Sequence, residues 1–153
     1  MIKKLFLIWA FLFLANCGYQ SVYFKNDDTL IKISKIKFEG DEKINRKILS
    51  LTGLKESSDF SDNYLLILNS KKKKDISSKN SAGNATSYKI SIDINISIVD
   101  PINNENIIKS KVFNSSFTYN NIQNKFELSR DEKNILNNLI ESASKKIVMY
   151  LSL

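Results

Sequence analysis

The segment from Tyr88 to Val99 has the most regular pattern of apolar and polar positions in the chain. Its alternating apolar positions are Tyr88, Ile90, Ile92, Ile94, Ile96 and Ile98, with polar residues between them. Strict alternation over this length predicts a half-buried antiparallel strand. Residues 100–104 favour a turn, and Ile107 to Tyr119 alternates again, less regularly. We therefore expect a long hairpin over 88–119, with a bulge or an edge position in its second strand.

The preceding part of the chain changes period from two to that of a helix. Residues 29–39 alternate with one change of phase, which predicts a strand with a bulge near Ser34. Asp41 is a suitable N-cap, and apolar residues follow at i, i+4 and i+7 from Ile44. Gly53 favours the end of that helix.

The stretch from Lys71 to Ser87 is polar and of low complexity. It follows residues 64–68, whose apolar side chains on both faces predict a central strand. Four consecutive lysines and then Ser, Asn, Gly and Ala predict a long exposed loop. The lysine run is either an anion-binding element or the solvated tip of a hairpin, and both interpretations stay open.

The C-terminal segment predicts a long helix. Ser129 and Glu132 form an S-x-x-E capping box, so we expect the helix to begin there and to run nearly to Leu153. Its apolar stripe, of a width that suits a helix lying on a sheet, is formed by Ile135, Leu136, Leu139, Ile140, Ala143, Ile147, Tyr150 and Leu151. The order β-α-β-β-β-α predicts an α+β two-layer sandwich, with two helices on a small, mostly antiparallel four-stranded sheet. Residues 29–153 are expected to form this single domain.

The N-terminus has the pattern of a bacterial lipoprotein signal. Two lysines precede the uncharged apolar run 5–15, which is too short to cross a bilayer, so residues 1–16 are predicted to be a signal peptide. The run ends in a sequence like a lipobox, with Asn16 where Gly, Ala or Ser is usual, and Cys17 is the expected lipidated residue. Residues 17–28 are then a tether. The alternative for the apolar run is a buried core helix, and the alternative for Cys17 is a small buried thiol.

A lipid on Cys17 would hold the protein on a membrane without a spanning segment, because two or more acyl chains give stable anchoring. The next residue is Gly18, and an Asp at that position is associated with retention at the inner membrane. We therefore expect sorting to the outer membrane of a Gram-negative cell.

The composition limits the chemistry that the chain can perform. The absence of His and the single Cys exclude a Ser-His-Asp or Cys-His catalytic group, an internal disulfide and an imidazole metal site. Neither a Gly-rich phosphate loop nor a hydrolase motif is present. We expect no enzymatic activity, no catalytic residue, no metal and no cofactor besides the covalent lipid on Cys17.

The net charge is a weak guide to partners. Lys and Arg outnumber Asp and Glu by 23 to 16, a formal charge of +7. Ile, Lys and Asn fill 60 of the 153 positions, and all have A/T-rich codons, so genome bias is an alternative explanation for many of the lysines. Nucleic-acid binding would need basic residues interleaved with aromatics on one sheet face, and the signal peptide also argues against it. We expect no nucleic-acid partner.

Four features along the whole chain carry a resemblance to a known family. They are Cys17-Gly18-Tyr19, the strand-helix passage Ile31–Leu54, the strand Ser87–Val99 with its partner Val112–Tyr119, and the helix 129–151. Together they resemble the LptE family, the lipopolysaccharide-assembly lipoproteins of the Gram-negative outer membrane.

The resemblance implies a function and its partners. Members of this family plug the lumen of the β-barrel LptD, bind lipopolysaccharide and assist its insertion into the outer leaflet. By this resemblance the domain would lie on the periplasmic side and in the lumen of an LptD-like barrel, with the lipid anchor in the outer membrane. A barrel lumen is polar, and the Ser-, Asn- and Lys-rich composition suits a plug.

Charge placement suggests which residues contact lipopolysaccharide, because lipid A carries phosphates and Lys binds phosphate as a point charge. The candidates are Lys71, Lys72, Lys73 and Lys74 in the predicted loop, and Lys89, Lys109 and Lys111 facing outward on the hairpin. A solvated surface is the alternative for each. The competing function is an unrelated pilot- or chaperone-type lipoprotein for another envelope channel.

Overall fold

The computed structural model describes residues 33–57, 64–100 and 106–152. These form four strands and two helices, in the predicted order: β1 (Ile33–Gly40), α1 (Glu42–Thr52), β2 (Tyr64–Lys79), β3 (Ala85–Val99), β4 (Ile107–Asn120) and α2 (Lys125–Leu151). The fold is α+β, as the sequence predicted.

The sheet has the order β1-β2-β3-β4. β1 and β2 are parallel, and α1 is the crossover between them, since parallel neighbours need a long connection. The other two pairs are antiparallel hairpin neighbours. The register of β1 against β2 shifts between Ile33 and Lys35, which confirms the predicted bulge.

Both helices pack on one face of the sheet, α1 on β1 and β2, and α2 on β3 and β4. The alternating isoleucines of β3 form the centre of the core, and Ile92, Ile94 and Ile96 are completely buried. Their neighbours in the core are Leu66, Leu68, Ile44, Ile48, Phe113, Ile140, Ala143 and Ile147. The opposite face of the sheet carries no helix within the described residues.

The passage from β1 to α1 is fixed by close backbone contacts. Gly40 adopts a positive φ of 75°, and a Cβ at this position would overlap the backbone oxygen of Ser70. The Asp41 amide donates to the same oxygen at 2.9 Å, and the Ser70 hydroxyl donates to the Asp41 carbonyl at 3.0 Å. Only glycine combines this φ with so close an approach of two backbone segments.

The helix termini confirm both predicted ends of α1 and correct the predicted N-cap of α2. Asp41 accepts hydrogen bonds from the first-turn amides of α1, and Gly53 ends that helix in the left-handed conformation. For α2 the predicted capping box at Ser129 was wrong. The N-cap is Asn124, whose side chain accepts from the amides of Phe126 and Glu127. An Asn cap satisfies the same orphan amides, so the helix begins one turn earlier.

The prediction of a long loop over residues 71–87 was also wrong. β2 continues through the lysine run to Lys79, and only Asn80–Asn84 form the turn. Each residue of the run pairs with β3, for example Lys72 with Ile92 and Lys74 with Ile90. We call residues 64–70 and 94–99 the near half of the β2–β3 hairpin, and residues 71–79 and 85–93 the far half.

Several predictions fall outside the described residues. They are the signal peptide 1–16, lipidation of Cys17, the tether 17–28 and most of the turn 100–104. Where the chain is described, neither helix is long and apolar enough to cross a membrane.

Candidate anion-binding cleft

The alternation of each strand distributes the seven candidate lysines over both faces of the sheet. On β2, the even positions Leu66 and Leu68 are buried under the helices, so Lys72 and Lys74 lie on that helix-covered side. Lys71, Lys73 and Lys89 lie on the open face. On β4, Lys109 and Lys111 share the helix-covered side with the buried Phe113, so the prediction that they face outward was wrong.

A cleft of about 280 Å³ opens between the far half of the hairpin and the N-terminal half of α2. It exists because β2 continues past the cover of α1, while α2 still lies over β3. Three lysines from two elements line it together with one carboxylate and two apolar side chains. The lining residues are Lys72, Lys74, Lys133, Glu132, Ser129, Ile90 and Leu136.

Glu132 anchors one wall of this cleft. Its Oε1 accepts from Lys74 Nζ at 2.5 Å and from the Tyr119 hydroxyl at 2.7 Å. Lys74 also lies 4.4 Å from the centre of the Tyr88 ring, a cation–π contact. One carboxylate of α2 thus ties together β2 and β4, with β3 contributing the ring beneath the ammonium group.

The ionisation states follow from this geometry. Burial raises the pKa of Tyr119 well above its usual value, and the negative Glu132 that accepts its hydrogen bond raises it further. Burial opposes ionisation of Glu132, but hydrogen bonds from Lys74 and Tyr119 and the charge of Lys72 outweigh it. Together they hold the pKa of Glu132 below its usual value. Near neutral pH the phenol is therefore a donor and the carboxylate an anion.

The charge balance of the cleft favours an anionic ligand. Glu132 offsets the charge of Lys74, with which it is paired, whereas Lys72 and Lys133 are exposed at the rim. Two ammonium groups from opposite walls can approach one phosphate from two sides, as point charges with several donors each. The cleft can bind an anion, and its apolar floor of Ile90 and Leu136 suits a ligand with an apolar portion.

Lys109 and Lys111 occupy a separate place at the C-terminal end of α2. Lys109 Nζ donates to the carbonyl of Tyr150 at 3.0 Å and lies 4.5 Å from its ring centre. Lys111 Nζ lies 5.0 Å from the centre of the same ring. A cation at a helix C-terminus compensates the partial negative charge there, so these two side chains stabilise the end of α2.

The open face carries lysines interspersed with acids. Lys73 pairs with Asp75 at 3.2 Å, and Lys37 pairs with Glu39 at 3.0 Å along β1. Lys89 stands opposite Asp75 in the β2–β3 register. Because the signs alternate, this face has a weaker attraction for anions than the cleft, although it carries three of the predicted lysines.

Sequence reasoning missed Lys133 and the roles of Tyr119 and Glu132. No sequence signal pairs Lys133 with the lysine run, because they are brought together only by the docking of α2 on the sheet. In the described parts of the chain, no group of three or more Cys, Asp or Glu could hold a metal ion.

The comparisons with known proteins bear on the fold. The chain matches no protein-family model and no curated protein. Among solved structures it is similar to rare lipoprotein B from Shewanella oneidensis, with a TM-score of 0.58 at 13% identity. The match covers 77% of this chain and 93% of that one.

Two further structures agree with that match. A minor lipoprotein from Acinetobacter baumannii gives a TM-score of 0.57 at 16% identity, over 80% of this chain and 92% of that one. An uncharacterized lipoprotein B from Nitrosomonas europaea gives 0.57 at 11% identity, over 82% and 87%. At these identities the shared property is the fold, which extends over most of each chain.

Proposed function

We propose that this chain is a non-enzymatic outer-membrane lipoprotein that takes part in the assembly of lipopolysaccharide, as a plug of an LptD-like β-barrel. In this role the lipid on Cys17 anchors the chain, and the domain contributes contacts to the barrel and to lipopolysaccharide. No step of bond chemistry is required of it.

One observation carries the proposal: the fold is similar to that of structures described as lipoproteins, and the sequence pattern of the same chain predicts a lipoprotein signal with Cys17 as the lipidated residue. Two of those structures are described as lipoprotein B, and the shared fold supports the resemblance to the LptE family that the sequence pattern carries. The signal and the fold are separate features of the chain, because the predicted signal lies outside the residues that the structure describes.

The cleft supplies the contact with lipopolysaccharide. We assign a phosphate of lipid A to Lys72 and Lys133 at its rim, with Lys74 held beside them by Glu132. The apolar floor would accept the adjoining part of an acyl chain. The polar open face, which carries Asn69, Asn95 and many hydroxyl side chains, suits the polar lumen of a barrel.

Charge-matched variants test the assignment. Lys72→Ser/Lys133→Ser removes two positive charges from the cleft, and Lys71→Ser/Lys73→Ser removes two from the open face. All four side chains are exposed, so both variants should fold. We expect at least a tenfold loss of affinity for purified lipopolysaccharide in the first variant and less than a twofold loss in the second. Equal losses would show attraction by net charge only, and unchanged binding in both would remove the cleft from the proposal.

A further inference from the structure

A second cleft, of about 350 Å³, lies on the other flank of α2, between that helix and the C-terminal part of β4. Tyr119 lines this cleft and Glu132 lines the anion-binding one, so their hydrogen bond forms the partition between the two. The volume falls in the range of sites for small organic ligands, which are mostly apolar with a few polar groups that fix the ligand. We call it the amide cleft.

Unpartnered side-chain amides are concentrated in the amide cleft. The described strands and helices contain eight asparagines. Five of them have a side chain that hydrogen-bonds within the domain: Asn45, Asn69, Asn95, Asn114 and Asn137. The other three have no side-chain partner among the described residues, and all three line this one cleft: Asn120, Asn134 and Asn138. Amide donors and acceptors that the fold does not use are thus gathered at a single place.

The helix wall presents its polar groups in a row. Asp131, Asn134 and Asn138 follow at i, i+3 and i+7, so they share one side of α2 over about 10 Å. Asn120 lines the cleft from the opposite wall, at the end of β4. Within the described residues Asp131 has only a long contact of 4.0 Å with Arg130, so its carboxylate is also available to a ligand.

The floor of the amide cleft is apolar and includes an aromatic ring. Phe117 lines it together with Leu128 and Ile135, and is 52% exposed. The face of an aromatic ring carries partial negative charge, so it attracts the weakly positive C–H groups of a ligand. Neither Lys nor Arg is among the described residues that line this cleft. Its chemistry therefore differs from that of the anion-binding cleft, although the two share a wall.

We propose that the amide cleft binds an uncharged sugar ring, with a C–H face of the ring on Phe117 and its hydroxyl groups on the amides. A sugar hydroxyl is both a donor and an acceptor, and a side-chain amide supplies both functions. The Asp131 carboxylate accepts from a further hydroxyl. The site goes beyond the function proposed above and does not depend on it, because the two clefts have no lining residue in common.

Other ligand classes fit this cleft less well. An acyl chain would cover the floor but would leave the amides and the carboxylate without partners as it displaced their water, which costs free energy. A phosphate would meet the negative charge of Asp131 and no cation. A sugar ring combines an apolar face with a rim of hydroxyl groups, as the floor and walls require. In a bacterial envelope such rings occur in lipopolysaccharide and in peptidoglycan.

Binding to the full chain tests the site, by isothermal titration in a detergent without a sugar headgroup. The two probes are the lipid-free oligosaccharide released from lipopolysaccharide and soluble glycan fragments of peptidoglycan. Asn134→Ala/Asn138→Ala removes two amides at exposed helix positions where alanine is favoured, so the variant should fold. We expect at least a tenfold loss of affinity. Asn69→Ala/Asn114→Ala removes two exposed amides from the open face and should cost less than twofold.

A third variant tests the aromatic floor. Phe117→Leu keeps the floor apolar but removes the ring face, and we expect at least a fivefold loss of affinity for a sugar. Binding of one probe but not the other supports the site and identifies the source of the ring. Failure of both probes to bind, equal losses in the two asparagine variants, or unchanged binding in Phe117→Leu would each overturn the proposal. All lysines stay in place in these variants, so this result is separate from that of the lipopolysaccharide experiment.

Discussion

The two halves of the β2–β3 hairpin share one ladder of hydrogen bonds but differ in what covers them. In the near half, both strands lie under helices, and Leu66, Leu68 and Ile96 are at most 1% exposed. In the far half, β3 keeps buried residues such as Ile92, while β2 is exposed from Lys71 to Lys79. Both strands continue into the far half, but α1 does not cover it.

Helix length explains the difference. α1 has 11 residues and α2 has 27, so at 1.5 Å per residue they are about 16 Å and 40 Å long. α1 begins beside Ser70 and runs back along β1 and β2, whereas α2 extends over the far half of β3. The uncovered side of β2 is therefore free to carry lysines, and the candidate cleft lies where cover is lost.

Truncation of an isoleucine in each half should give the largest difference in the free energy of unfolding. Ile96→Ala removes a fully buried side chain of the near half, and we expect a loss of about 4 kcal/mol in the free energy of unfolding. Ile76→Ala, at a residue 51% exposed in the far half, should cost less than about 0.5 kcal/mol. Urea denaturation measures both. Similar losses of stability in the two variants would contradict the difference in burial between the two halves.

Gly40 and Gly83 provide a second matched pair. Gly40→Ala forces a Cβ into the Ser70 backbone at a positive φ, and we expect a loss of about 3 kcal/mol. Gly83→Ala, in the turn of the far half, has a positive φ but nothing within 4 Å of the added carbon, so it should cost about 1 kcal/mol. Thermal unfolding compares them, and a smaller loss at Gly40 than at Gly83 would refute the close approach.

The start of α2 sets how far the cover over the far half extends. Asn124→Ala should lower the free energy of unfolding by about 1 kcal/mol, because the amides of Phe126 and Glu127 lose their acceptor. Ser129→Ala, inside the helix and exposed, should change it by less than about 0.5 kcal/mol. A larger loss for Ser129→Ala than for Asn124→Ala would contradict the cap at Asn124 and favour the capping box that the sequence predicts.

The smallest effect concerns the ion pair between Glu132 of α2 and Lys74 of the far half. Glu132→Gln should lower the free energy of unfolding by less than about 1 kcal/mol at neutral pH, because the ion pair with Lys74 is partly exposed. The pKa of Glu132 is lowered in the fold, so its contribution is present above the ordinary carboxyl pKa and is lost as the pH falls through the folded-state pKa.

Unfolding curves at several pH values check this dependence. The difference between the unaltered chain and Glu132→Gln should shrink as the pH falls below the ordinary carboxyl range. A difference that is constant with pH would mean that the charge of Glu132 contributes nothing.

The sequence predicted the near half well and the far half poorly, for physical reasons. Apolar periodicity reports burial, and it was sufficient for β3, for α1 with its cap at Asp41, and for the order of the elements. β2 beyond Ser70 is exposed on both faces, so no periodicity marks it as a strand.

The candidate cleft was predictable only in part. The lysine run was recognised as an anion-binding candidate, but its division between two faces depends on the strand that was missed. Lys133 and the Glu132–Tyr119 hydrogen bond depend on the position of α2 relative to the sheet. That position is set by packing between residues distant in the sequence, such as Ile140 with the isoleucines of β3.

The central claim is that this chain serves as a lipopolysaccharide-assembly lipoprotein, and its isolation from native membranes tests that claim most directly. The full chain, tagged at its C-terminus and extracted in mild detergent, would be purified and analysed for bound protein and lipid by mass spectrometry. We predict a chain that begins at an acylated Cys17, with a large LptD-like β-barrel protein and lipopolysaccharide in the same complex. Recovery with a different envelope channel and without lipopolysaccharide, or with an unmodified Cys17, would contradict it.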